Sequence, residues 1–177
     1  MTVIHIMLAI VLAVFVIGRL LLHFCGKEDV RVGIDAPFTV EEKTADHIVL
    51  SKPLFFHNEG TSCATLMDAI VRPQLPYEQY AGLAVRGKAE CEGKAREDDY
   101  FEAVLIEAGE SIFVKAYVTL TARKGMSIKE AIAHMADFSA DLIYQETGRH
   151  PWRYSKVTIP VRAAEVASLV GVTPADD

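Results

Sequence analysis

Residues 3–24 of the chain, VIHIMLAIVLAVFVIGRLLLHF, are almost wholly apolar, broken only by His5, Gly18, Arg19 and His23. No other feature restricts the fold as strongly. At a rise of ~1.5 Å per residue a helix of this length reaches about 33 Å, enough to cross a hydrocarbon core of about 30 Å. The segment reads as a single transmembrane helix, with the anchor occupying 1–26.

A cleaved signal peptide would need a basic stretch ahead of a short apolar core, then a small-x-small cleavage site. No Lys or Arg precedes this run, and it exits as LLHFCGK, with no small residues before Cys25. An uncleaved span is the better fit. Basic residues flanking a span favour the cytoplasmic side. The amino side offers only the terminal amine and His5, whereas Arg19, Lys27 and Arg31 lie toward the carboxyl side. Arg19 can snorkel its guanidinium to headgroup level, and Lys27 marks the membrane interface beside it. The domain that follows is therefore expected in the cytoplasm, in preference to the extracytoplasmic side where many small anchored β-domains reside.

Charge then narrows the partners. Beyond Gly26 stand 17 basic against 24 acidic residues, a net of −7. Nucleic acid is an unsuitable partner for such a surface, since phosphate binding needs basic charge. The roughly 150 residues after the anchor suffice for one domain with its own core. Of the three cysteines, Cys25 sits at the membrane boundary, where acylation is an option beside plain packing. Cys63 and Cys91 fall on apolar faces of expected strands and are read as a pair or as two buried thiols; no C-x-x-C spacing suggests a metal.

Alternation of apolar and polar residues dominates 46–122. In 82–92, Leu83, Val85, Gly87, Ala89 and Cys91 face one way and Ala84, Arg86, Lys88, Glu90 and Glu92 the other. The pattern repeats over 112–122, and further strands are expected near 47–56, 62–72, 100–106 and 153–161, with weaker ones at 30–34 and 37–42. Asn58-Glu59-Gly60 reads as a turn of residues tolerant of positive φ, and 107–110 as a hairpin joining 100–106 to 112–122. One helix interrupts the pattern. Ser127 and Glu130 form a capping box, Ile128, Ala131, Ile132, Met135, Phe138, Ser139 and Leu142 follow at helical spacing, and Gly148 offers a stop. This predicts an amphipathic helix over 127–146 packed on a sheet. A short helix is expected at 163–170.

The segments FFHNEG, then ATLMDAIV, and later IEAGESIFVKAYVTL resemble strands of immunoglobulin-like sandwich domains, where one strand commonly ends in an Asn-x-Gly turn and another follows a Gly-Glu-Ser step. The resemblance covers about residues 38–122 and implies a mainly-β, two-sheet sandwich. It carries over no functional residue. A Cys…Trp…Cys spacing is missing, because the sole Trp is Trp152. The expected organisation is an anchor at 1–26, a short tether at 27–36, a β-sandwich domain at 37–172 containing the 127–146 helix, and a flexible tail at 173–177.

The sequence holds no G-x-S-x-G, P-loop or dinucleotide-binding motif, and no cofactor or catalytic residue is assigned. His134, Asp137 and Asp141 would share the polar face of the 127–146 helix, and Arg96-Glu97-Asp98-Asp99 forms an acidic turn; both read more simply as solvated charge than as metal sites. Two segments suggest contact surfaces. In RPQLPYEQY (72–80), Arg72, Leu75, Tyr77 and Tyr80 lie on an extended Pro-framed loop. In RHPWRYSK (149–156), Arg149, Trp152 and Arg153 interleave basic and aromatic character, a pattern suited to anionic headgroups. The expected function is a non-catalytic protein-interaction or assembly module at the membrane. Its partners would be the lipid bilayer and a membrane-associated protein or a second copy. The alternatives are a small-ligand or lipid-binding module with the 127–146 helix as its lid, and a hydrolase with a dispersed site.

Overall fold

The structure, a computed structural model, describes residues 2–24, 26–77 and 80–175. Cys25, Glu78, Gln79 and the last two residues of the expected tail lie outside the described residues. Helix α1 (Thr2–Phe24) comes first. Its stretch Thr2–Leu22 is long and apolar enough to cross a membrane, and none of it is covered by the rest of the chain.

Among the described residues nine strands follow in two antiparallel sheets. Sheet A carries β1 (Val30–Gly33), β3 (His47–Asn58), β7 (Ser111–Ala122) and β5 (Leu83–Cys91) in that order, with β2 (Thr39–Lys43) also paired to β3. Sheet B runs β6 (Val104–Ile106), β4 (Ala64–Pro73), β8 (Phe138–Thr147), β9 (Arg153–Val161). Alternation decides what each sheet buries. Ile48, Leu50, Leu54 and Phe56 of β3 and Val114, Ala116, Val118 and Leu120 of β7 face Leu66, Leu142, Tyr144 and Ile159 of sheet B in one core. The ring of Phe56 meets that of Tyr144 edge to face at 5.3 Å, joining the two sheets near the end of β3. Where β5 crosses β4 the sheets come so close that a Cβ on Gly87 would collide with the Val71 carbonyl. Within β4 a bulge at Asp68, with φ 51°, switches the buried set from Ala64 and Leu66 to Ala69 and Val71.

The expected helix over 127–146 is corrected. The capping box forms, Ser127 Oγ accepting from the Glu130 amide while the Glu130 carboxylate accepts from the Ser127 amide. The helix it starts, α2 (Ile128–Ala133), ends at His134 after six residues. Residues 138–147 form β8 instead, filling the slot between β4 and β9. Phe138, Ala140, Leu142 and Tyr144 follow a period of two, and only the pair Phe138 and Leu142 also continues the helical spacing set by Ile128, Ala131, Ile132 and Met135. Without β8 the facing edges of β4 and β9 would lose their backbone partners, and that long-range demand prevails. Gly148 accordingly lies in the β8–β9 turn.

The 107–110 turn is corrected too. It is no hairpin: β6 pairs with β4 in sheet B, while β7 pairs with β3 and β5 in sheet A, so the turn arches between sheets. The helix expected at 163–170 is present as α3 (Ala163–Val170), closed by Gly171 at φ 72°. Residues 27–36, read as a tether, include β1, which is hydrogen-bonded to the end of β3.

Candidate interaction surfaces

The residues just after α1 are tied into the domain at once. Thr61 donates its amide to the Lys27 carbonyl at 3.0 Å, and Glu59 donates to that of Asp29 at 2.8 Å. The Asp29 amide donates to Asn58 Oδ1 at 3.1 Å. Between them Glu28 turns inward and is only 5% exposed. Its carboxylate accepts the amides of Arg149 (2.8 Å) and His150 (3.0 Å), and His150 Nδ1 stands 2.9 Å from Oε1. Burial alone would raise this carboxyl's pKa. The converging backbone amides, with the imidazole, outweigh it and hold the group at about 2. Two glycines admit the segment: a Cβ on Gly60 would collide with the Lys27 carbonyl, and one on Gly148 would stand 2.7 Å from the Glu28 carboxylate.

Asn58 is the hub beneath this strap. It is fully buried, and contrary to the sequence expectation neither it nor its neighbours adopt positive φ. Its Oδ1 accepts from Asp29 and Gly60, while Nδ2 donates to the carbonyls of Ser62, Ile106 and Glu107. One side chain thus pins the strap and both cross-sheet arches.

Beside the strap, on edge strand β9 and its turn, Trp152 (62% exposed) and Tyr154 (64%) stand edge to face at 5.6 Å. Arg153 points the other way, pairing with Glu146, whose side chain is buried at the sandwich edge. Arg149 is exposed. All three of the expected trio are exposed, but Arg153 is engaged by the buried Glu146 carboxylate, which leaves Arg149 and Trp152 as the groups presented to solvent.

The 72–80 loop lies at the opposite end. Register places Pro73 against Ala140 and Thr65 against Thr147, so about 23 Å of β8 separates the two segments. Leu75 is partly buried against the core, and the Tyr80 hydroxyl donates to the Ala131 carbonyl of α2, so these two anchor the loop. Tyr77 is exposed beneath the Arg123 guanidinium, 5.5 Å from the ring centre, and Arg72 is exposed on β4. Arg19 and Lys27 bracket the end of α1, both exposed.

Other expected groupings separate. His134 caps α2, Asp137 accepts from the Ala163 amide at 2.7 Å, and Asp141 accepts from Thr158 (2.8 Å) and Lys156 (3.2 Å) on β9. The acidic turn is consumed by ion pairs, Arg96 with Asp98 at 2.9 Å and Lys88 with Asp99 at 2.7 Å. Cys63 and Cys91 are both free thiols, and burial raises the pKa of Cys91. One feature the sequence did not suggest is a cleft of about 540 Å³ on the outer face of sheet A, lined by Val49, Arg86, Lys88, Glu90, Asp99, Tyr117 and Thr119. It exists because residues 92–103 fold back beside β5, a long-range event with no local signal.

Two hydroxyl–imidazole contacts bear on hydrolysis. His57 Nδ1 lies 2.8 Å from Ser111 Oγ, and its other close polar neighbour is the Glu110 carbonyl at 3.1 Å. Thr44 Oγ1 lies 2.7 Å from His47 Nδ1, whose Nε2 is 3.2 Å from Glu42. The second set has triad-like distances, but it sits on the exposed β2–β3 turn, where the Thr44 hydroxyl also bonds Asp46 and the His47 amide. It fastens a hairpin.

No protein-family model matches the chain, and no curated protein matches it. Among solved structures it is similar to the GAE domain of yeast GGA1, at 8% identity and a TM-score of 0.38 over 75% of this chain and 90% of that one. It is also similar to the GAE domain of GGA2p from Saccharomyces cerevisiae (6% identity, TM-score 0.38, 78% and 98% covered). A family 123 glycoside hydrolase from Clostridium perfringens matches at 6% identity and TM-score 0.31, over 76% of this chain and 27% of that one. At these scores none of the three likenesses carries an argument about this chain.

Proposed function

We propose that the chain is a single-pass membrane protein whose immunoglobulin-like sandwich is a non-catalytic interaction or assembly module held at the cytoplasmic surface. The observation that carries this reading is the join between its two parts. An apolar helix that nothing covers is linked, through Cys25 and Gly26 alone, to a segment locked into a domain with a complete core of its own. The partner is a membrane-associated protein or a second copy, met at the far end through Arg72 and Tyr77. The rival ligand-binding reading loses its premise, since no helix is formed over 134–146 to act as a lid and the space between the sheets is filled by Leu50, Leu54, Phe56, Leu66 and Leu142.

A photo-crosslinking amino acid at position 77 tests the binding role in intact membranes. A discrete adduct from position 77, absent from the exposed turn position 97, is expected. Equal yields from both positions would remove the loop from the proposal. A reporter active only outside the cytoplasm, fused to the carboxyl terminus, should stay silent; activity would reverse the sidedness.

A further inference from the structure

We propose that the corner built from Trp152, Tyr154 and Arg149 docks on the headgroup layer of the membrane that α1 spans. This rests on the reading of α1 as a span. The geometry comes from the strap. Glu28 accepts hydrogen bonds from Arg149 and His150, so the β8–β9 turn is fixed against the first residues to leave the helix. Three residues lie between Phe24 and Glu28, and the four steps reach at most ~14 Å when extended. Lys27 is held by the Thr61 amide and Gly26 already lies so close to Thr61 that a Cβ there would collide with its hydroxyl, which gives the domain little room to turn this corner away from the lipid.

The chemistry of the corner suits that position. Trp and Tyr partition to the membrane–water boundary, where an apolar ring with one polar edge is solvated on both counts. Both rings are more than half exposed, Tyr154 on β9 and Trp152 just before it, and among the described residues no strand pairs with the outer edge of β9. The carboxylates nearby are already engaged: Glu28 by backbone amides, Glu146 by Arg153, Asp29 and Glu59 by Arg31. Among the described residues neither Lys27 nor Arg149 is in an ion pair, so positive charge is left outward at this end of an otherwise acidic domain. Phosphate headgroups complement it.

Trp152 is the only tryptophan, so intrinsic fluorescence reports on this corner alone. The full-length protein is reconstituted in phosphatidylcholine–phosphatidylglycerol vesicles and probed with a headgroup-region spin-labelled lipid and with aqueous iodide. A control, Trp152→Phe/Tyr77→Trp, moves the reporter to the far end. Docking predicts that the lipid quencher lowers Trp152 emission about twofold while iodide scarcely reaches it, with the reverse response from position 77. If Trp152 is open to iodide and silent to the lipid quencher while the protein floats with the vesicles, the docking is wrong and the span stands. Shielding from iodide without lipid quenching would mean that protein, such as a second copy on β9, covers the corner, and would equally overturn the proposal. A chain that fails to float with the vesicles overturns the span and the docking together.

Discussion

Replacing Glu28 tests the strap most directly. In the folded chain its carboxyl titrates at about 2 rather than 4.5, because three backbone amides (its own and those of His150 and Arg149) and the His150 ring favour the anion more than burial disfavours it. At ~1.36 kcal/mol per pH unit, that difference corresponds to about 3 kcal/mol of folding free energy at neutral pH. A folded pKa below the unfolded one stabilises above the unfolded value, and the contribution drains away as the pH falls from about 5 toward 2. Glu28→Gln keeps the volume but offers one acceptor oxygen, and sets an NH2 group against the Arg149 or His150 amide. The variant should be destabilised by about 2–3 kcal/mol at pH 7, and its deficit relative to the parent should shrink steadily below pH 5. Urea unfolding of the full chain in detergent micelles, followed by far-ultraviolet circular dichroism, measures both. A deficit under about 0.5 kcal/mol at pH 7, or one unchanged at pH 3, would refute the claim that the buried anion fastens the strap.

Three further changes follow from the same contacts. Gly148→Ala should cost about 1–3 kcal/mol by crowding the Glu28 carboxylate and the Cys63 carbonyl; combined with Glu28→Ala the penalties should fall short of their sum, as a double-mutant cycle in urea would read. Asn58→Ala strips partners from both arches and the strap, and should lose about 2–3 kcal/mol or more in the same assay. Gly87→Ala drives a methyl into the Val71 carbonyl where the sheets approach most closely, so a fall in melting temperature is expected, whereas Gly93→Ala on the open turn should show only its backbone strain.

Strands were legible wherever one face is buried and the other wet. The Leu83–Cys91 and Ser111–Ala122 alternation was visible residue by residue, as were α3 and the Ser127–Glu130 cap. Residues 138–147 were not, because Phe138 and Leu142 continue the spacing that the capping box begins, and the strand pairing is supplied by β4 and β9, distant in sequence. The 107–110 turn misled for a related reason: Gly109, at φ 76°, serves a hairpin or an arch equally well, and Asn58 decides between them from 49 residues away. Candidate surfaces were found by composition alone. That Tyr80 and Leu75 anchor while Tyr77 is presented depends on α2 and the core beneath them. The role of Gly60 and Gly148 could not be read at all, since each makes room for a residue brought from elsewhere in the chain.

The strap also sets a mechanical property. With α1 in a bilayer, a sandwich fastened at Gly26 and Lys27 behaves as a post rather than a flag on a rope. Its far loops are set apart from the strap by the stretch of β8 between Ala140 and Thr147, about 23 Å, and so ride at a nearly constant height. Tyr77 and Arg72 then sweep a thin layer parallel to the bilayer as the protein diffuses. A partner is selected first by whether its own contact surface reaches that altitude. Lengthening the join with a few glycines would leave every contact inside the domain intact and still abolish that gauge.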